Sequence, residues 1–432
     1  MRLAVVGGGW AGLAAAVEAT LLGHQVCLCE MAHAPGGRAR RVAAAEPALD
    51  NGQHILIGAY VETLRLMAIV GADAARLLDR RPLALAFADG GRLALPAGAP
   101  RVAFARAVLG RRGWSLRDRV RVLWTTVGWA RAGFRCDPRL TVAELAAALP
   151  ASARRDLVEP LCVAALNTPA AQASATVFLR VLHDALFGER GSADLLLPRV
   201  DLSTLWPDAA RRWLVARGAA VHLGRRVATL ATNGAGWHVD GEAFDGVVLA
   251  ASSVEAARLA APHAGAWAET ARALRHEPIV TVVLRSEGAR LPEAMLALHA
   301  GASAPAQFVF DLGALRGLAG TLAFVVSGAA DWVERGLESI VDATLAQARA
   351  ALAAHLRGPL QEVRTIVEKR ATFLCTPGLA RPAAAIAPGL VAAGDYVDVP
   401  YPATLEGAVR SGVAAARALV SAGRTAPPAA RR

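Results

Sequence analysis

Gly7, Gly9 and Gly12, followed by Glu30, are the residues whose spacing points most directly to chemistry. The glycines stand as G-x-G-x-x-G, a pattern that suits a dinucleotide. Gly7 permits a tight turn, Gly9 lets backbone approach a pyrophosphate, and Gly12 lets a helix pack closely on a strand. Glu30 lies 21 residues beyond Gly9, placed to accept hydrogen bonds from a ribose. Gly-rich turns are common, so the pattern gains weight only from the elements around it. Residues 3–6 read as a buried parallel strand, and 13–22 as a helix rich in Ala and Leu that Gly23 stops. Residues 25–30 read as a second apolar strand ending in the acid. The helix start would face a pyrophosphate with free N–H groups and the positive end of its dipole.

Three further stretches extend this reading. Gly36, Gly37 and Arg38 follow Glu30 and bring flexible backbone and a cation to the same nucleotide. Residues 50–60, DNGQHILIGAY, set Gly52, Gln53 and His54 in a polar turn before an apolar element. Near the C-terminal end, residues 390–393 read as a strand, Gly394 and Asp395 as a turn, and 406–420 as a helix capped by Thr404. Two strand–turn–helix units so far apart suggest one extended ligand held from both ends of the chain.

Between these ends the pattern changes. Residues 83–96 alternate around Asp89-Gly90-Gly91, a β-hairpin signal. Residues 140–187 have helical period, broken at Pro150, Pro160 and Pro169; the polar groups of Asn167 and Thr168 either face a pocket or cap a helix beginning near Ala171, the cap being preferred. Residues 218–253 read as strands near 220–223, 227–231, 237–239 and 244–250. Residues 308–326 read as strands with turns at Gly313 and 317–320, and 343–356 as an amphipathic helix. The expected fold is α/β: a Rossmann-like dinucleotide domain with an inserted α+β substrate domain. The expected boundaries are 1–80, 200–262 and 375–421 for the first, and 81–199 with 263–374 for the second. Residues 422–432 read as a disordered tail.

Composition bounds the rest. With 432 residues the chain can bury a large core, and much of its 54% hydrophobic content is Ala. No apolar run reaches the length of a membrane span, and the immediate entry into a buried strand leaves no room for a signal peptide. The five cysteines follow no metal-ligand spacing, so no metal is expected, and Cys27 with Cys29 reads as core packing. The net charge of +11 is almost all arginine, Lys369 being the one lysine. Residues 101–135, from Arg101 to Arg135, hold nine arginines against one acid, Asp118, with Trp114, Trp124 and Trp129 interleaved. Two readings stand side by side: a helix lying on anionic lipid, and a solvated basic helix with Trp in the core. Neutralising Arg111, Arg112, Arg117 and Arg119 is the test that separates them. Nucleic acid has no recognition motif to support it.

Taken together these residues resemble the flavin-containing amine oxidoreductase superfamily, which includes carotenoid desaturases. The resemblance spans the chain and implies FAD. It assigns Gly7, Gly9, Trp10, Ala11, Gly12 and Glu30 to the adenosine diphosphate moiety, with Gly36, Gly37 and Arg38 as the Gly-Gly-Arg element. Val227 matches the residue whose backbone meets the adenine. Gly52, Gln53 and His54 match the backbone beside the isoalloxazine. Gly394 and Asp395 match the pyrophosphate–ribitol pair, and Thr404, Glu406, Gly407 and Ala408 the start of the helix under the flavin.

The segments DNGQHILIGAY, ALNTPAAQASATVFLRVLHDALFG, DLLLPRVDLSTLWP and EKRATFLCTPG narrow the likeness to the squalene-associated branch, the hydroxysqualene dehydroxylases. Tyr396 stands where that branch more often carries Trp. The resemblance implies that hydroxysqualene, a long-chain isoprenoid, is reduced to squalene by reduced FAD. An acid protonates the departing hydroxyl and hydride replaces it, which calls for an apolar tunnel and exclusion of water. His54 is the first candidate acid, then Asp398 and Tyr401; Lys369 can lose a proton where Arg cannot. An insoluble substrate favours a cytoplasmic protein peripheral to the inner face of the membrane. The rival readings are an oxidative desaturase of a polyene, an amine oxidase, for which aromatic residues are few, and a lipid-binding scaffold that keeps FAD structurally.

Overall fold

The structure, a computed structural model, describes residues 1–42, 48–96, 98–234 and 236–425. The strands that matter here are β1 (Arg2–Val6), β2 (Gln25–Glu30), β3 (Ala220–Leu223), β4 (Gly246–Leu249), β5 (His276–Arg285), β6 (Met295–Ala297), β7 (Phe308–Asp311), β8 (Thr321–Val326), β9 (Gln361–Phe373), β10 (Ala385–Ala387) and β11 (Leu390–Ala392). The helices are α1 (Trp10–Leu21), α2 (Val61–Ile69), α3 (Pro100–Gly110), α4 (Leu116–Arg131), α5 (Ala175–Leu186) and α6 (Leu405–Thr425).

Among the described residues a six-stranded sheet runs β10–β11–β4–β1–β2–β3. All its pairs are parallel except β10 with β11. Leu3 sits opposite Gly246 on one side and Val26 on the other. Both faces of β1 are covered, which is why residues 3–6 are uniformly apolar and buried. The helices α1 and α6 pack on each other beside this sheet. Helix α1 starts at Trp10, three residues before the expected position, because the extended backbone of Gly9 already serves as its N-cap.

A five-stranded antiparallel sheet, β6–β7–β8–β5–β9, forms the second layer system. Pairing between β5 and β9 slips where Pro278 interrupts it, since proline has no N–H for the ladder. The hairpin of 84–86 with 92–94 forms as expected, its turn held by Gly91 N–H donating to Asp89 at 2.9 Å.

Several local expectations are corrected. The strands near 230 and 237 join Glu242–Phe244 in a small separate antiparallel sheet, and only β3 and β4 enter the parallel one. Gly313 lies inside a helical turn, Leu312–Arg316, which Asp311 caps by accepting from Ala314 N–H at 2.9 Å. The helix expected over 343–356 occupies Leu337–Ala351. Asn167 is no cap for the next helix: it closes Glu159–Leu166 in the left-handed conformation, and Ser174 caps α5. Residues 422–425 continue α6, so the expected tail is helical at its start, and 426–432 lie outside the described residues.

Candidate functional site

The site begins at the turn from β1 into α1. Gly7 has φ of +111°, and a Cβ there would lie 2.5 Å from the Ala250 carbonyl oxygen. A Cβ on Gly12 would lie 1.8 Å from the Gly7 oxygen, so only glycine lets helix and turn approach this closely. Gly9 is different: its Cβ position has no neighbour nearer than Gly37 Cα at 3.8 Å and borders a cavity. Gly7 and Gly12 are thus packing glycines, and Gly9 is the one that leaves room for a ligand.

Glu30 closes the cradle. Its buried carboxylate accepts from Gly8 N–H at 2.5 Å and Ala32 N–H at 2.8 Å, which fixes it along the cavity wall. The 36–39 loop is fastened against the first turn by Gly36 N–H donating to the Gly8 oxygen at 2.8 Å. Trp10 donates from Nε1 to the Ala39 oxygen at 3.0 Å. Arg38 bonds Asp395 at 2.6 Å and the Ala371 oxygen at 2.7 Å, tying the first loop to the last. Val227 lines the cavity beside Glu30, its carbonyl taken by Arg258 at 2.7 Å. These contacts hold a cleft shaped for a pyrophosphate-containing nucleotide, as FAD is.

The C-terminal strand–turn–helix supplies the opposite wall. Gly394 N–H donates to Ser411 at 3.0 Å, and Thr404 caps α6 by accepting from Gly407 N–H at 3.0 Å. Gly394, Asp395, Thr404, Glu406 and Ala408 line the cavity; Gly12 and Gly407 sit behind it. The carboxylate of Glu406 does not serve a ligand. It accepts from Glu62 N–H at 3.0 Å, and from Thr63 N–H at 2.9 Å and Oγ1 at 2.7 Å, capping α2. Arg410 completes its partners at 2.7 Å.

One cavity of about 720 Å³ runs from this cradle into an apolar limb. Leu83, Leu161, Leu182, Met295, Phe308 and Ile366 are among the walls of that limb. Gly52, Gln53 and His54 stand in the cavity wall, with Asn51, Glu368 and Tyr401. His54 Nδ1 lies 3.1 Å from the Gly52 oxygen, a contact that needs the proton on Nδ1 and leaves Nε2 as an acceptor. Burial lowers its pKa, the Arg38 charge adds to that, and the Gly52 bond only partly opposes them. A neutral His54 suits accepting a proton better than giving one.

Tyr401 also lines the cavity. Its hydroxyl oxygen accepts from Arg180 at 2.9 Å, and Arg180 and Arg410 lie over its ring at 5.2 and 5.4 Å. Asp184 stands beside it, bonded to Arg180 and to His183 Nδ1 at 2.8 Å each. Burial pushes the Asp184 pKa up, but the His183 and Arg180 contacts outweigh that and hold it below the usual carboxylate range.

Two other candidates are corrected. Asp398 is exposed and absent from the cavity wall, its N–H bonded to the Pro382 oxygen. Lys369 is exposed on β9, while Glu368, one residue earlier, reaches the cavity, because successive strand side chains point to opposite faces. Glu368, which accepts from Asn51 at 2.9 Å, was missed in the sequence. Alternation from Ile366 to Glu368 is the signal that finds it; beyond Lys369 the register shift breaks that count, and Ala371 and Thr372 both line the cavity. Arg180, Asp184 and Arg381 were missed too; Arg381 gathers the carbonyl oxygens of Asp395, Val397, Val399 and Tyr401 around one guanidinium.

The chain is similar in sequence and fold to known proteins. The family model described as flavin containing amine oxidoreductase matches residues 10–420. A protein named hydroxysqualene dehydroxylase from Rhodopseudomonas palustris is 27% identical, over 97% of this chain and 98% of its own. One of the same name from Zymomonas mobilis is 25% identical, over 95% and 97%. In structure, an oxidoreductase from Methanosarcina mazei superposes with a TM-score of 0.74 at 15% identity, covering 97% of this chain and 100% of that one.

Proposed function

From the premise that the chain belongs to the flavin containing amine oxidoreductase family, and is an FAD-dependent oxidoreductase, we propose that it reduces hydroxysqualene to squalene. The observation that carries this reading is the continuity of the cavity. An apolar limb joins the nucleotide cradle directly, so one cavity has room for a long hydrocarbon next to the cofactor site. In this reading 1–80, 200–262 and 375–421 hold the cofactor, and 81–199 with 263–374 hold the substrate.

Bound in the cradle, reduced FAD supplies the hydride that replaces the allylic C–O bond, and the oxygen leaves as water. The chain's own residues do the rest. Gly9 and the start of α1 receive the pyrophosphate, and Glu30 the ribose. Leu161, Leu182 and their neighbours orient the hydrocarbon and keep water from the allylic centre. Tyr401 gives its hydroxyl proton to the departing oxygen, and the Arg180 and Arg410 guanidiniums stabilise the negative charge left behind. Solvent then returns a proton to Tyr401, while the Asp184 carboxylate, held ionised, keeps Arg180 in place beside it.

The test is anaerobic. The purified flavoprotein is photoreduced and mixed with hydroxysqualene, and flavin reoxidation is followed alongside squalene by mass spectrometry. Stoichiometric squalene is expected. Reoxidation without squalene, or none at all, overturns the proposal and makes a polyene desaturase the next reading to test.

A further inference from the structure

We propose that α3 and α4 form a docking surface for the anionic face of a lipid bilayer, seated beside the leucine wall of the apolar limb. The claim that substrate enters here rests on the function proposed above; the docking claim does not. Helix α4 exposes Leu116 (71%), Val120 (45%), Trp124 (67%) and Val127 (44%), and α3 adds Val102 (56%) and Leu109 (47%). At 3.6 residues per turn the four on α4 fall within an arc of about 80°. The opposite side of α4 is occupied, since Val122 and Thr126 are buried against the body of the protein. The exposed stripe is therefore a second apolar face, one that folding does not cover.

Charge says what covers it. Arg106, Arg112, Arg117, Arg131 and Arg135 are exposed and, among the described residues, form no ion pair. Acid is almost absent: Asp118, the one carboxylate of the segment, lies in the first turn of α4. Other arginines of the segment are fixed inward. Arg111 and Trp114 both bond the buried Asp156 at 3.0 Å, and Arg119 bonds the Trp114 and Leu109 carbonyls across the α3–α4 turn. The hairpin is thus rigid, with its free cations fringing an apolar stripe that includes Trp. That combination matches anionic headgroups above acyl chains. A nucleic acid would reward the arginines and leave Leu116, Val120 and Val127 without a partner.

The inner side of α3 gives the surface a purpose. Phe104 and Ala107 border a small apolar void whose other walls include Leu83, Leu85, Leu161 and Leu186. Those four leucines also wall the main cavity. One helix, about 10 Å thick, therefore separates the proposed bilayer contact from the substrate limb.

The test uses the full chain with FAD and two variants: R112Q/R117Q/R131Q/R135Q, and L116S/W124S. Sedimentation is measured with phosphatidylcholine–phosphatidylglycerol vesicles and with phosphatidylcholine alone. Wild type is expected to bind the anionic vesicles, more weakly as salt rises. The arginine variant is expected to lose about five-fold in affinity per charge, on the order of several hundred-fold in all. The apolar variant is expected to lose at least about ten-fold. Wild-type binding by either variant overturns the proposal. So does loss in the arginine variant alone, which would mark a site for soluble polyanions. Turnover of detergent-dispersed hydroxysqualene tests the substrate separately: docking without turnover refutes the reaction, and turnover without docking refutes the surface.

Discussion

A methyl group added at Gly9 and one added at Gly12 should separate cofactor binding from folding. At Gly12 the new Cβ meets the Gly7 oxygen at 1.8 Å. An ordinary carbon–oxygen contact is about 3.3 Å, so helix and turn must part by roughly 1.5 Å. Backbone is on both sides, and overpacking of this kind costs up to about 3 kcal/mol, less about 1 that alanine returns in a helix. With an unfolding entropy near 0.9 kcal/mol/K for 432 residues, a net 2 kcal/mol lowers the apoprotein Tm by about 2 °C. At Gly9 the backbone is extended (φ −71°, ψ −177°), which any residue adopts, and the Cβ has no neighbour within 3.7 Å. Loss of the glycine N-cap costs about 0.5–1 kcal/mol, so the apoprotein melts within about 1 °C of wild type. The pyrophosphate, however, loses its seat. A hundred-fold weaker FAD removes about 2.7 kcal/mol of ligand stabilisation, about 3 °C of the FAD-induced shift. Flavin content per chain and melting of the apoprotein across an FAD titration decide the matter. A Gly9→Ala protein that keeps full flavin and the full shift would refute the reasoning, as would a Gly12→Ala apoprotein that melts like wild type.

Three further outcomes are expected. Tyr401→Phe retains FAD and lowers kcat about 10²–10⁴-fold, whereas Lys369→Ala and Asp398→Ala leave it within two-fold or so; stopped-flow reoxidation with hydroxysqualene checks all three, and an active Tyr401→Phe removes the proton donor named here. His54→Ala keeps more activity than Tyr401→Phe and leaves the acid limb of the pH–rate profile in place, because the wild-type imidazole is already neutral; a shifted limb shows that it titrates during turnover. Arg316→Met leaves the buried Asp50 without the partner that lies 2.9 Å away, which costs about 3–5 kcal/mol at pH 8. Burial raises Asp50 to about 6 even against Arg316, so the fold favours its neutral form. That contribution is whole below about pH 4 and is lost as pH rises through about 6. Urea unfolding should therefore show a smaller loss at pH 5 than at pH 8, and equal losses would mean Asp50 is not the charge left behind.

The nucleotide cradle was legible because its constraints are local. Gly7, Gly9 and Gly12 act within one turn, and Glu30 ends the strand that follows, so spacing alone carries the geometry. The same locality found the Thr404 cap and the 84–94 hairpin. What stayed hidden was decided at a distance. Glu406 reads as a helix start beside the flavin, and nothing near it in sequence says that α2, more than 300 residues earlier, claims its carboxylate. The strands at 230–244 alternate like sheet members, but which sheet they join depends on edges supplied elsewhere.

Arginine shows most sharply where such reading stops. Composition counts Arg111, Arg316 and Arg381 with the surface charge, yet all three turn inward and neutralise something: Asp156, Asp50, and a ring of carbonyl oxygens. Arg381 bends residues 395–401 around itself, which orients both Asp395 toward Arg38 and the chain that presents Tyr401. A lysine has three donors on a point charge and could not meet carbonyls spread around the rim of one plane as the five N–H groups of a guanidinium do. Codon bias toward arginine explains why the residue is abundant. It does not explain why these side chains are buried, and burial of a cation is stable only where acceptors meet it. The charge left over on α3 and α4 is therefore smaller than the count for that segment, and it lies beside the exposed apolar stripe of α4.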